Sequence, residues 1–178
     1  MKVLKILTLV LLMTLTSCST LRVTTDYDTK ANFTSYKTFA FYKNGIDKAS
    51  ISDLDKKRIM RAIEAELTAK GFTKSKTPDI LVSIFTKSRE RVNINNNNNF
   101  AWGYGWSPWM WGGMNQTNVR QYTEGILFID FIDREKNELV WQGVGSGAMK
   151  FRNREKKEER IKEFVKAIIN KYPPDSEK

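Results

Sequence analysis

The chain has 178 residues, of which 40% are apolar and 28% charged, so it can form one folded domain and is not disordered throughout. It contains no histidine and one cysteine, which excludes the commonest general base, the commonest metal ligand and any internal disulfide. The formal net charge of +10 fits either a general abundance of Lys or a basic surface that attracts anionic envelope polymers. The first interpretation is the simpler one.

The chain begins with the features of a secretory signal. Two lysines precede the apolar stretch 6–15, which is too short to cross a bilayer core of about 30 Å. The run Leu15-Thr16-Ser17-Cys18 resembles the bacterial lipobox, in which the thiol takes a diacylglycerol and the amine freed by cleavage is acylated. We therefore predict a signal peptide over residues 1–17 and an N-acyl, S-diacylglycerol modification of Cys18.

The residue after the predicted anchor indicates the destination. Ser19, rather than Asp, follows Cys18, and resemblance to the enterobacterial sorting rule then favours the outer membrane, with the periplasmic face as the default. No later stretch reaches the roughly 20 apolar residues of a spanning helix. The predicted partner is thus a membrane, bound through the lipid anchor, and nucleic acid is a poor partner for an exported lipoprotein.

The first half of the mature chain predicts two strands and one helix. Residues 23–27 and 38–42 are rich in β-branched and aromatic side chains, which favour strands. Ser52 has the character of a helix N-cap, and Gly71 stands where a C-cap is expected. Apolar residues between them recur at helical spacing, which predicts a helix over residues 53–70.

The second half predicts three strands. A continuous apolar run over 80–85 indicates an interior strand that continues to Val92. Residues 125–133 and 138–144 flank a polar turn and indicate a hairpin. Three alternating glycines, Gly143, Gly145 and Gly147, predict a flat or closely approached surface.

A final amphipathic helix completes the predicted domain. Its apolar stripe runs from Ile161 to Tyr172, and Pro173 stops it. The order β-β-α-β-β-β-α predicts an α+β fold, in which two helices pack on one face of a mainly antiparallel sheet. We assign residues 18–178 to this single domain.

Short motifs along the mature chain are similar to one known family. They are Tyr27-Asp28, Tyr36-Lys37-Thr38-Phe39, Lys70-Gly71-Phe72, Pro78-Asp79-Ile80-Leu81-Val82, Gly125-Ile126-Leu127-Phe128-Ile129-Asp130, Leu139-Val140-Trp141-Gln142-Gly143 and Tyr172-Pro173-Pro174. In this order they resemble the domain-of-unknown-function family 4136, in a Bacteroidetes-like form. The resemblance implies an anchored bacterial lipoprotein, often with a Gly/Tyr/Trp-rich insert, and it implies no activity.

The segment at about 93–118 differs in composition from the rest of the chain, with a run of Asn followed by closely spaced rings. The candidate interaction residues are Trp102, Tyr104, Trp106, Trp109 and Trp111. Such rings suit a lipid interface, stacking on the sugars of a glycan, or docking on an envelope protein. The alternative is that the segment covers a sheet face or is disordered.

Little in the chain indicates catalysis. Asp130 and Asp133 bracket a strand end, but a separation of three places them on opposite faces of the sheet, and we expect them to be solvated at a hairpin. We predict no catalytic residue, no metal and no cofactor. The predicted function is a binding or structural module, with a subunit of a lipoprotein assembly as the alternative and a carboxylate-dependent hydrolase as a lesser one.

Overall fold

A six-stranded sheet with two long helices on one of its faces forms the domain. The structure, a computed structural model, describes residues 21–95, 118–149 and 153–174. The strands are β1 (Leu21–Tyr27), β2 (Thr38–Phe41), β3 (Thr73–Lys74), β4 (Ile80–Asn95), β5 (Asn118–Asp133) and β6 (Glu138–Ala148). Their order in the sheet is β1-β6-β5-β4-β2-β3. The α+β class predicted from the sequence is confirmed.

The helices are α1 (Lys43–Asp47), α2 (Asp53–Ala69) and α3 (Arg154–Ile169). The Ser52 hydroxyl accepts a hydrogen bond from the Asp55 N–H at the start of α2, and Gly71 has a φ of 90° just after its end. Both predicted caps are therefore confirmed. Asp55 pairs with Lys157, and the later turns of α2 and α3 also meet, so the two helices run side by side in the same direction.

The core lies between these two helices and the sheet. On β4, Ile80, Val82 and Ile84 are buried at alternate positions and face the helices. Gly143 and Gly145 of β6 lie directly under Ile168 of α3, where a side chain on either glycine would collide with it. This confirms the closely approached surface that the alternating glycines predict.

The sheet is mainly antiparallel, as predicted, but mixed rather than purely antiparallel. The pairs β1–β6, β6–β5 and β5–β4 are antiparallel, as predicted, but β2 runs parallel to both β4 and β3. Two short elements, α1 and β3, were absent from the predicted order. A five-residue helix and a two-residue strand are too short to produce a period in the sequence.

Candidate functional site

The two predicted sites fall in parts of the chain that the structure does not describe. Cys18 precedes the first described residue, Leu21. The candidate interaction residues Trp102, Tyr104, Trp106, Trp109 and Trp111 lie outside the described residues as well. What the structure does describe is the backbone from which both segments leave the domain.

Strand register places these two departure points at the same end of the sheet. Leu21 pairs with Gly147, Gly147 pairs with Gly125, and Gly125 pairs with Ser88, so the four residues form one row across the sheet. We call the end marked by this row the arm end. Beyond it the pairing of β4 with β5 continues to Asn95 and Asn118, and we call this extension the arm. At roughly 3.3 Å per residue, the seven steps from Ser88 to Asn95 extend about 23 Å.

The opposite end, which we call the turn end, is marked by Tyr36, Asp79 and Asp133. These residues line a polar depression of about 720 Å³. Tyr36 donates a hydrogen bond of 2.8 Å from its hydroxyl to Asp133 Oδ2, and Asp133 Oδ1 accepts from the N–H groups of Glu135 and Lys136. Burial by itself would raise the pKa of Asp133, but these hydrogen bonds outweigh it and hold the pKa below its usual range.

Asp79 plays a similar part at the start of β4. Its Oδ2 accepts hydrogen bonds of 2.8 Å from the N–H groups of Lys37 and Thr38, and the Lys37 N–H is the main cause that lowers the pKa of Asp79. Burial and the same Asp133 carboxylate raise the pKa of the Tyr36 hydroxyl. The two carboxylates at the turn end therefore stay ionised and tie backbone segments together, and neither is poised to give up a proton.

The expectation that Asp130 and Asp133 are solvated was wrong, although their placement on opposite faces is confirmed. Asp133 lies on the helix side and is 7% exposed. Asp130 lies on the other face, where it accepts a 2.7 Å hydrogen bond from Gln142 Nε2. Burial raises the pKa of Asp130, and the Gln142 bond opposes that shift only in part. Asp133 is shielded because Tyr36, from the segment before β2, covers it and donates a hydrogen bond to it.

A charged cluster at the arm end was not predicted from the sequence. Asp55 Oδ2 lies 2.5 Å from Lys157 Nζ, and Asp55 Oδ1 lies 2.7 Å from Arg58 Nη1. Burial would raise the pKa of Asp55, but hydrogen bonds from Lys157, Ser52 and Arg58 lower it overall. The Asp55–Lys157 pair joins the first turns of α2 and α3. Its two residues are 102 positions apart in the chain, so no local sequence pattern reveals it.

Metal and membrane features are limited in the described part of the chain. Within residues 21–95, 118–149 and 153–174, no cluster of three or more Asp, Glu, Cys or His side chains has the arrangement of a metal site. None of the three described helices combines the length and the apolar character needed to cross a membrane.

Comparison with known proteins adds the family. The family model called Domain of unknown function (DUF4136) matches residues 23–174, almost the whole described domain. The chain belongs to this family. The prediction from short motifs is thereby confirmed for the DUF4136 family, whose description states no activity. No curated protein matches the chain.

Three solved structures align with the chain at low identity. A PDZ domain protein from Parabacteroides distasonis aligns with a TM-score of 0.52 and 18% identity, over 86% of this chain and 36% of that one. The chain thus spans about a third of that protein, and the likeness shows the fold alone. Two crystal forms of the PelC dodecamer from Paraburkholderia phytofirmans align at TM-scores of 0.43 and 0.46, with 11% and 13% identity, over 84% of this chain and 94% of theirs.

Proposed function

We propose that this DUF4136 chain is an outer-membrane lipoprotein whose domain binds at the membrane surface with its arm end toward the bilayer. The observation that carries the proposal is the row Leu21–Gly147–Gly125–Ser88, because it puts the strand that follows Cys18 and the root of the arm at one end. The three residues from Cys18 to Leu21 span at most about 11 Å. An acylated Cys18 therefore holds this end close to the bilayer.

The arm supports the same orientation. The backbone from Ser88 to Asn95 extends past the row that contains Leu21, which follows Cys18 by three positions in the chain. In sequence, segment 96–117 joins the two strands of the arm. Trp and Tyr residues favour the interface between lipid and water. Of the three interpretations of this aromatic segment, contact with lipid is the one that fits a tether at the same end.

The charge of β4 and β5 at the arm end also supports an orientation with this end toward the bilayer. The parts of β4 and β5 from Lys87 to Asn95 and from Asn118 to Glu124 contain four basic residues and two acidic ones. Each basic residue near an anionic membrane surface contributes about 1 kcal/mol of attraction. The charges of Arg89 and Glu124 partly cancel, because the Glu124 carboxylate lies 3.8 Å from Arg89 Nε. The net charge of the two stretches is still positive.

The proposal contains no catalytic step. Asp79 and Asp133 both line the turn-end depression, but their oxygens accept backbone hydrogen bonds that tie turns and strands in place. A hydrolase of the kind considered from the sequence needs one protonated and one ionised carboxyl group. The pKa values of Asp79 and Asp133 are both lowered, so both groups favour the ionised form and neither suits the role of the protonated partner.

Anchoring is tested by Cys18→Ala in the full chain. We expect the wild-type protein to carry acyl chains in mass spectra and to sediment with outer membranes. The Cys18→Ala variant should lack the acyl mass and lose its place in the outer-membrane fraction. A variant that stayed acylated, or that fractionated like wild type, would contradict the proposal.

Contact with lipid is tested by a photoreactive residue in intact cells. Placed at Trp106, it should give adducts with phospholipid. Placed at Leu139, which is 51% exposed at the turn end, it should give none. A discrete protein adduct at Trp106 would overturn the lipid contact and favour the alternative of a lipoprotein assembly. A glycan adduct would overturn it in favour of an envelope polymer.

A further inference from the structure

A cavity of about 250 Å³ lies at the arm end, between the first turns of α2 and α3 and the sheet. Most of its lining is apolar: Ile51, Ile59, Leu127, Met149, Ile161 and Phe164. An apolar cavity of about 150 Å³ lined by Leu, Ile and Phe stays dry and binds a small hydrocarbon. Pockets for whole drug-sized ligands begin at about 300 Å³. The space therefore suits part of an apolar molecule, such as a single hydrocarbon chain.

One polar atom in the cavity wall lacks a partner. Thr86 lies on the helix side of β4, and its Oγ1 is buried without a hydrogen bond to any described residue. A buried hydroxyl without a partner destabilises a fold by about 1–3 kcal/mol. A ligand with a carbonyl oxygen would accept a hydrogen bond from this hydroxyl and relieve that penalty.

The border of the cavity is basic. Among the described residues that line it, Asp55 is acidic while Lys157 and Arg160 are basic. Lys87 lies on the strand beside it, but its ammonium group is over the Phe85 and Phe128 rings on the other face of the sheet. Lys157 and Arg160 pair with Asp55 and Glu163, and Arg58 also pairs with Asp55, so the cluster is ordered. Its three basic and two acidic side chains leave a net charge of +1 beside the opening. A positive border complements an anionic head group.

The position of the cavity indicates where the ligand comes from. Gly125 lines the cavity and lies in the row with Leu21, so the cavity is level with the start of β1. We propose that it receives one acyl chain of an anionic phospholipid, with the ester carbonyl bound by Thr86 and the head group beside Lys157 and Arg160. This inference rests on the proposed function, because the lipid comes from the bilayer that the arm end faces.

The test uses the full lipid-anchored chain in phosphatidylcholine vesicles that contain phosphatidylglycerol with a diazirine in one acyl chain. After illumination, labelled peptides are located by mass spectrometry. We expect label on the peptides that contain Leu127, Met149 and Ile161. Met149→Trp fills the space from its partly exposed border and should lower this labelling about tenfold, which corresponds to about 1.4 kcal/mol. Val144→Trp, on the opposite face of the sheet, should leave it unchanged.

A second variant keeps the test decisive if Met149→Trp does not fold. Thr86→Val keeps the shape of the side chain, removes the hydroxyl and should lower labelling about fivefold. Replacing the phosphatidylglycerol probe with a diazirine phosphatidylcholine should lower it too, because the positive border would have no anion to bind. Equal labelling in wild type, Thr86→Val and Met149→Trp would overturn the inference.

Labelling of segment 96–117 separates this inference from the proposed function. Label on that segment without label on the cavity peptides would overturn the cavity inference and leave the membrane orientation standing. Label on neither region would overturn both. Cavity labelling that is equal with the neutral and the anionic probe would contradict the assignment of the head group.

Discussion

The two ends of the sheet are built differently. The turn end is filled with rings: Phe131, Trp141 and Tyr172 lie with centroids 4.7 to 5.4 Å apart, and Tyr36 is tied to Asp133 beside them. The arm end contains a cavity and an arm of two strands. Buried polar atoms without a partner among the described residues occur at both ends: Thr86 Oγ1 at the arm end, and Trp141 Nε1 and the Tyr172 hydroxyl in the ring cluster. The close ring packing thus lies at the end away from the predicted anchor, and the cavity proposed to bind lipid lies at the end near it.

The largest expected effect tests this division directly. Trp141→Ala removes the centre of the ring cluster and should lower the free energy of unfolding by about 3–5 kcal/mol. Met149→Ala at the arm end removes a partly buried side chain and should lower it by about 1 kcal/mol or less. Denaturant unfolding of both variants measures the difference. Similar losses in the two variants would show that the ends are equally packed.

Tyr36→Phe should have the next largest effect. It removes a hydrogen bond to an ionised carboxylate and should lower the free energy of unfolding by about 1.5–3 kcal/mol at pH 7. The pKa of Asp133 is lowered by folding, so its stabilisation is present above its ordinary value and is lost as the pH falls through the folded value. The gap between wild type and Tyr36→Phe should therefore shrink below about pH 4. A gap independent of pH would contradict the role assigned to the carboxylate.

Asp130→Asn should act in the opposite direction. Burial raises the pKa of Asp130, so folding disfavours its ionised form at neutral pH, and this penalty disappears as the pH falls below the ordinary value. The Asn side chain keeps an oxygen that accepts from Gln142. We expect the free energy of unfolding to rise by about 1 kcal/mol at pH 7 and to match wild type near pH 3. A loss of stability at pH 7 would show that the charge has an unseen partner.

The smallest effect is expected at the cavity. Without lipid, Thr86→Val should raise the free energy of unfolding by about 0.5 kcal/mol, because it removes a buried hydroxyl that has no partner. Thr24→Val, at an exposed position of β1, serves as the control and should be neutral. Paired with weaker lipid labelling, a gain in stability would show that the arm end trades stability for binding. A clear loss of stability would mean that the hydroxyl is satisfied.

Sequence patterns predicted the helices and strands well where the spacing of apolar residues repeated over enough positions to be detected. The helix after Ser52, the strand from Ile80 and the hairpin around residue 135 all followed from spacing and caps. Parallel pairing of β2 with β4 did not, because a four-residue strand does not reveal its partner. The residues around the cavity come from five separate parts of the chain, and only the fold brings them together.

The features that carry the functional proposal were predictable only in part. Cys18 and the tryptophans stand out by residue type alone. Residue type does not reveal that Leu21 and the root of the arm lie in one row of the sheet, since this depends on the register of β1 against β6 and of β6 against β5. The burial of Asp133 was missed for the same reason: its shielding comes from Tyr36, which lies 97 residues away in the chain.

The most direct test of the account is the depth of the two ends relative to a bilayer. Since Cys18 is the only cysteine and is predicted to be acylated, a cysteine introduced at Arg89 on the arm or at Lys136 at the turn end can be spin-labelled selectively. In vesicles containing the anchored protein, the label at position 89 should lie near the head groups, and the label at position 136 should lie at least about 25 Å farther out. Equal depths, or a deeper label at position 136, would contradict the orientation on which the account rests.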